Sequence, residues 1–203
     1  MSQATVDFYF DVVCPYAYLA FTQLDGLLAR HSFELRYKPI LLGGLYRVIG
    51  AGDGPMPSMP PAKAKLNLLD MHRWAAFRDQ PLNMPATHPN RTVLAMRTVL
   101  ASGDYPRAGK ALYAAYWVRG EDVSQPEVVR AALDGAGFDG AALVEAASDP
   151  AIKQQLFDAV DEAAAAGAFG VPTFVVKHGD RSEMFWGQDR IAMVEAELAA
   201  AAA

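Results

Sequence analysis

The amino-acid sequence predicts an α/β fold in which a small strand-and-helix unit is interrupted by an all-helical insertion. Three observations lead there. An apolar run from Val6 to Val13 passes into a helix-patterned stretch and then into a second strand. The middle of the chain shows only helical periodicity. The C-terminal part returns to two strands and a last helix.

Each element has a local reason. Val6 to Phe10 alternates and then turns continuously apolar, as a buried strand does. Pro15 suits the first helical position, where its missing N–H costs nothing. From there Tyr18, Leu19, Phe21, Leu24, Leu27 and Leu28 recur at helical spacing, predicting one continuous helix. Phe33 to Ile40 reads as a second strand, which completes a β-α-β unit with a right-handed crossover if the strands are parallel. Gly50 to Pro61, with three Gly and four Pro, must be a loop. Helices are predicted over 62–78, 90–102 and 107–118. Ser124 to Glu127 has capping-box spacing, and Asp149-Pro150 is an N-cap followed by proline, opening a helix that Gly167 closes. Val171 to Lys177 and Ser182 to Trp186 flank the turn His178 to Asp180 and predict a hairpin. A final helix starts near Gln188-Asp189 and ends in an alanine tail. This order is that of a thioredoxin-like fold, with residues 1–42 and 168–203 forming the thioredoxin-like domain and 43–167 the helical insertion.

Composition narrows the function. The formal charge of −5 and the absence of any basic cluster argue against nucleic acid or an anionic membrane as partner. No apolar stretch approaches the roughly 20 residues of a membrane span. The N-terminus lacks the basic and apolar regions of a signal peptide, and one cysteine cannot form an internal disulfide. A cytoplasmic setting is therefore expected.

The chemistry centres on Cys14, the one cysteine of the chain. It stands between strand and helix, where unpaired N–H groups and the peptide dipoles favour an anion, so an unusually acidic thiol is expected. A lone cysteine is often just a small buried core residue; its place before proline at a strand-to-helix junction weighs against that. The position where dithiol oxidoreductases of this architecture carry a resolving cysteine is Ala17. Whatever Cys14 bonds must be released by an outside thiol, which points to glutathione. Gly170-Val171-Pro172-Thr173 is the second feature. A proline opening a strand is usually an edge residue, but in this fold the X-Pro bond is cis and faces the cysteine. Val171 then offers its backbone N–H and C=O to an extended peptide. Trp186-Gly187-Gln188-Asp189 is the third, a strand-to-helix turn whose N–H groups can receive a carboxylate and whose Asp189 can pair with an ammonium group; alone, Asp189 is more often a plain N-cap. The histidines are scattered and no spacing suggests a metal site. His88, in the loop from Pro85 to Asn90, can overlook the cleft, although a solvated loop histidine is the commoner case. Trp74 and the group Tyr113, Tyr116 and Trp117 read as packing.

Taken together, Asp7-Phe-Tyr-Phe-Asp11, Pro15-Tyr-Ala-Tyr-Leu-Ala20, Arg73-Trp74-Ala75, Phe169-Gly-Val-Pro-Thr173 and Trp186-Gly-Gln-Asp-Arg190 resemble the 2-hydroxychromene-2-carboxylate isomerases and kappa-class glutathione transferases, in the DsbA-like branch of the thioredoxin superfamily. The resemblance covers nearly the whole length. It implies a homodimer and a glutathione site made by Cys14, the Val171 backbone beside a cis Pro172, and Trp186, Gly187, Gln188 and Asp189. It further implies an isomerase in aromatic catabolism, in which the glutathione thiolate adds reversibly to a conjugated aromatic acid. This chain departs from the family pattern at four places. Cys14 replaces a serine, Tyr46 falls where a substrate-holding lysine is expected, Met59-Pro60 where an Asn-Arg pair is expected, and His88 where a substrate tyrosine is expected. The resemblance thus carries the glutathione half of the site better than the aromatic half. Two other functions fit the same residues: a glutathione-dependent monothiol oxidoreductase or transferase acting on a small electrophile, with Cys14 forming a mixed disulfide, and a non-catalytic glutathione or peptide binder.

Overall fold

The computed structural model describes residues 3–202. Four strands, β1 (Thr5–Phe10), β2 (Glu34–Pro39), β3 (Thr173–His178) and β4 (Arg181–Trp186), form one sheet in the order β2-β1-β3-β4. β1 and β2 run parallel, while β3 is antiparallel to both β1 and β4. The chain's two ends therefore meet in the centre of the sheet, with Phe8 opposite Phe174. Parallel β1 and β2 require a crossover, supplied by α1 (Pro15–Phe21) and α2 (Leu24–Arg30). The sequence predicts one helix here. It breaks because Thr22 Oγ1 and Gln23 Nε2 both donate to the Leu19 carbonyl, at 2.9 and 2.8 Å, and compete with the backbone ladder.

Between β2 and β3 lie α3 (Leu42–Val48), α4 (Pro61–Phe77), α5 (Val93–Ser102), α6 (Tyr105–Tyr113), α7 (Pro126–Gly135), α8 (Gly140–Ala146) and α9 (Pro150–Ala165). The loop 50–61 and the Asp149 cap form as expected, the Asp149 carboxylate accepting from Ala151 N–H at 2.7 Å. The capping box at Ser124 does not form. Pro126 moves the start of α7 one residue on, to an N-cap at Gln125, and Asp122 gathers the turn by accepting from Ser124 N–H and from the Gln125 side chain.

α3 and α8 have no counterpart in the sequence reading, because glycine lowers helix propensity in both. Tertiary contacts override it. Gly44 lets α3 approach α9, a Cβ there meeting Val160 at 3.4 Å, and Gly140 seats α8 directly on the Arg130 carbonyl of α7. The helix predicted over 107–118 is α6 followed by a π turn, Ala114–Val118. That extra residue brings Tyr113, Tyr116 and Trp117 to the interior together. The hairpin turn is Gly179-Asp180. A 3₁₀ turn, Gln188–Arg190, leads into α10 (Ile191–Ala202), which takes in most of the alanine tail; Ala203 lies outside the described residues. Phe8, Phe10, Phe21, Tyr37 and Tyr113 pack as one aromatic cluster where the sheet meets α1 and α6. That cluster anchors the end of β1 from which the candidate site projects.

Candidate functional site around Cys14

The segment Asp11–Cys14 leaves β1 as a tight turn, closed by Cys14 N–H donating to Asp11 O at 3.1 Å. The turn is held from other elements. Tyr113 Oη donates to Asp11 O at 3.2 Å, and Trp117 Nε1 to Val12 O at 2.8 Å. The Asp11 carboxylate accepts from Val13 N–H at 3.2 Å and from Leu42 N–H, the first of α3, at 2.8 Å. Cys14 is then the N-cap of α1 in extended conformation, with Pro15 next.

Its sulfur meets the far end of the chain. Cys14 Sγ donates to the Val171 carbonyl oxygen at 3.2 Å, and the Val171–Pro172 bond is cis. Gly187 N–H donates to Pro172 O at 3.0 Å, so the turn after β4 is tied to the same loop. Gly187 has φ +113°, a conformation that strains any other residue. The Trp186 indole lies across Gly170, where a Cβ would come within 2.9 Å of Nε1, and packs on Phe169 at 5.0 Å between ring centroids. Cys14, Val171, Pro172, Trp186 and Gly187 are thus brought together. Among the described residues, Val171 N–H has no hydrogen-bond partner, and its C=O has the Cys14 thiol.

The remaining candidates surround this group. The 3₁₀ turn packs against α1. Gln188 is 2 % exposed, and its Oε1 has no partner among the described residues. The Asp189 carboxylate is bound to the neighbouring Arg190 guanidinium instead of standing free. Tyr16, on α1, donates to Asn67 Oδ1 of α4 at 2.9 Å; burial, and then the proximity of Cys14, Asp70 and Asp189, push its hydroxyl up to about 12. Tyr46, on α3, is pushed up to about 12 by burial, then by Cys14 and Asp11. Its ring covers Gly54 of the loop before α4. His88 is half-buried, with Nδ1 2.8 Å from Tyr116 Oη, and its ring lies 5.2 Å from that of Trp117. It reaches the Cys14 turn through Trp117, without touching the sulfur. Burial lowers its pKa, favouring the neutral ring.

The thiol itself corrects the sequence reading. Instead of being acidic, it is pushed up to about 12. Burial is the first cause: the residue keeps only 9 % of its surface. The N–H groups of Ala17 and Tyr16 pull the other way, but make no capping hydrogen bond, and the Asp11 carboxylate adds repulsion. Cys14 is a neutral hydrogen-bond donor here, not a thiolate. Asp11, Tyr113 and Trp117 are the residues the sequence reading passed over. An acid at the end of an otherwise apolar run, three residues before the cysteine, was the available signal.

Among the described residues no group of three or more His, Cys, Asp or Glu could hold a metal ion, and no helix is long and apolar enough to cross a membrane. An open groove of about 650 Å³ between α6 and α7, lined by Arg107, Lys110 and Glu127 among others, shares no residue with the Cys14 group.

Residues 5–199 match the family described as DSBA-like thioredoxin domain. A 2-hydroxychromene-2-carboxylate isomerase of Sphingobium xenophagum is 30% identical over 96% of this chain and 97% of its own. The glutathione S-transferase kappa 1 of Homo sapiens is 27% identical over 94% of this chain and 88% of its own. The solved structure of a 2-hydroxychromene-2-carboxylate isomerase superposes with a TM-score of 0.79 at 28% identity, covering 96% of this chain and 94% of that one. The chain belongs to the DsbA-like thioredoxin family, in the group of the 2-hydroxychromene-2-carboxylate isomerases and kappa-class glutathione transferases. These relatives are enzymes, isomerases and transferases by name.

Proposed function

We propose that the chain is a cytoplasmic, homodimeric, glutathione-dependent isomerase, with Cys14 acting on the glutathione sulfur. One observation carries this: the Cys14 thiol lies on the carbonyl of a residue whose own N–H has no partner among the described residues. A cysteinyl unit in extended form presents the complementary N–H and C=O and would pair with Val171 as a short added strand. Its N–H would take over the Val171 carbonyl, freeing the Cys14 S–H to turn toward the incoming sulfur. The turn from Trp186 to Asp189, tied to Pro172 through Gly187, would hold the γ-glutamyl end. Asp189 would exchange its partner Arg190 for the ammonium group, and the side-chain oxygen of Gln188 is an acceptor still to be matched.

Glutathione, bound there, supplies a thiolate that adds reversibly to a conjugated aromatic substrate. Cys14 would donate a hydrogen bond to that sulfur, keeping it ionised yet able to leave. The high proton affinity of Cys14 suits a donor. In this reading Tyr46 and His88, with Tyr16, would present hydroxyl and imidazole donors to an acidic substrate. Cys14→Ser decides the role. Retained isomerase activity on a conjugated 2-oxo acid, with no mass gain in the native protein on exposure to oxidised glutathione, supports the donor. A single added glutathionyl group, with activity lost in Cys14→Ser, would establish the monothiol oxidoreductase or transferase. Glutathione binding without turnover of any electrophile would leave a binding protein.

A further inference from the structure

The Asp11 carboxylate is wholly buried, and among the described residues no cation pairs with it. It accepts hydrogen bonds from the Val13 and Leu42 N–H groups, and the Val12 N–H and the Thr92 hydroxyl lie close enough to favour its charged form. The titratable groups that sense its charge are Cys14 on its own turn, Tyr46 on α3, Tyr113 on α6 and Tyr116 in the π turn. All are acids that gain negative charge on ionising. A region with one buried carboxylate and no counter-ion resists a second negative charge.

We propose that Asp11 is a positioning residue that locks the Cys14 turn to α3 and takes up a proton when negative charge arrives at the Cys14 sulfur. This rests on the reading of Cys14 as the functional thiol. The geometry allows both protonation states. Ionised, the carboxylate accepts from the Val13 and Leu42 N–H groups, with the Thr92 hydroxyl beside it. Protonated, it has one O–H to place, and the Thr92 hydroxyl, which rotates freely between donor and acceptor roles, can accept it. The Val13 and Leu42 bonds survive on the remaining lone pairs, so the turn keeps its shape while the charge moves. Burial favours the neutral form, raising the Asp11 carboxyl to about 6, near enough to neutrality for such an exchange. The proton would come from the ligand thiol itself or from water, and would return when the anion leaves.

The test plants a charge on the sulfur. Native protein labelled with ¹³C at the aspartate carboxyls is alkylated at Cys14 with iodoacetate or with iodoacetamide, giving adducts of similar size, one anionic and one neutral. Asp11→Asn identifies the Asp11 signal by its loss. The expected result is an Asp11 midpoint near 6 in the unmodified protein, and a midpoint at least about one pH unit higher in the anionic adduct than in the neutral one, a tenfold difference in proton affinity. Should the thiol resist both reagents, Cys14→Asp and Cys14→Asn make the same comparison. Thr92→Val, which removes a donor to the ionised form, raises the midpoint further. Equal midpoints in the charged and neutral forms, or an Asp11 signal in the ordinary carboxylate range, would overturn the proposal. Glutathione and turnover enter none of these readings, so the proposed isomerase activity can fail while this stands.

Discussion

Trp117→Phe tests whether the π turn holds the Cys14 turn in place. Trp117 is fully buried, and its Nε1 donates to Val12 O at 2.8 Å. Phenylalanine keeps the aromatic packing but removes the donor, leaving a buried carbonyl without a partner at a cost of about 1–3 kcal/mol. The smaller ring leaves a void worth about 1 kcal/mol more. The sum, about 2–4 kcal/mol, is a large part of the roughly 5–15 kcal/mol that stabilises a typical protein. At about 2–4 °C per kcal/mol for a chain of this size, Tm falls by about 4–16 °C. Urea unfolding at pH 7 gives the free energy directly. A second readout is specific to the site: with the turn loosened, water reaches Cys14 and its reaction with iodoacetamide accelerates. A loss below about 0.5 kcal/mol, together with unchanged alkylation, would show that this hydrogen bond does not position the cysteine.

Asp11 gives a pH dependence of defined sign. Its folded pKa of about 6 lies above the ordinary 3.8, so the folded state binds the proton more tightly. Its cost, about 3 kcal/mol in all, is absent well below pH 4, grows as pH rises, and is complete above pH 6. Between pH 7 and pH 5 the unmutated protein should gain about 1 kcal/mol relative to Asp11→Asn in parallel urea titrations; the opposite slope would contradict the assignment. Two glycines should behave oppositely in thermal unfolding. Gly44→Ala should be neutral or stabilise by up to about 1 kcal/mol, because its Cβ finds ordinary contact and helix propensity improves. Gly140→Ala should destabilise by about 2 kcal/mol or more, since its Cβ would strike the Arg130 carbonyl.

What could be read from the sequence was what local chemistry determines. The strands, the proline starts at Pro15 and Pro150 and the Gly170–Thr173 segment all carry signals within a few residues of themselves. So did the placement of Cys14 between strand and helix. The properties imposed by distant residues were not legible. α3 and α8 form despite their glycines, because packing on α9 and on the α7 backbone outweighs propensity, and at Gly140 a bare Cα is needed. The π turn could not be told from a helix by periodicity, yet it delivers Trp117, next to Tyr113, to the Cys14 turn. The ionisation of Cys14 was misjudged for the same reason. A helix N-terminus is visible in sequence, whereas burial against Val171, 157 residues away, is not. Nor does the sequence show that α3 closes over Asp11, whose carboxylate accepts from Leu42 N–H.

A crystal structure of the chain with glutathione bound addresses the proposed site most directly. The cysteinyl unit should pair with the Val171 N–H and C=O, with its sulfur within hydrogen-bonding distance of Cys14 Sγ and no covalent bond between them. Glutathione seated elsewhere, for example in the groove between α6 and α7, or a Cys14 thiol still donating to Val171 O in the liganded protein, would contradict the assignment.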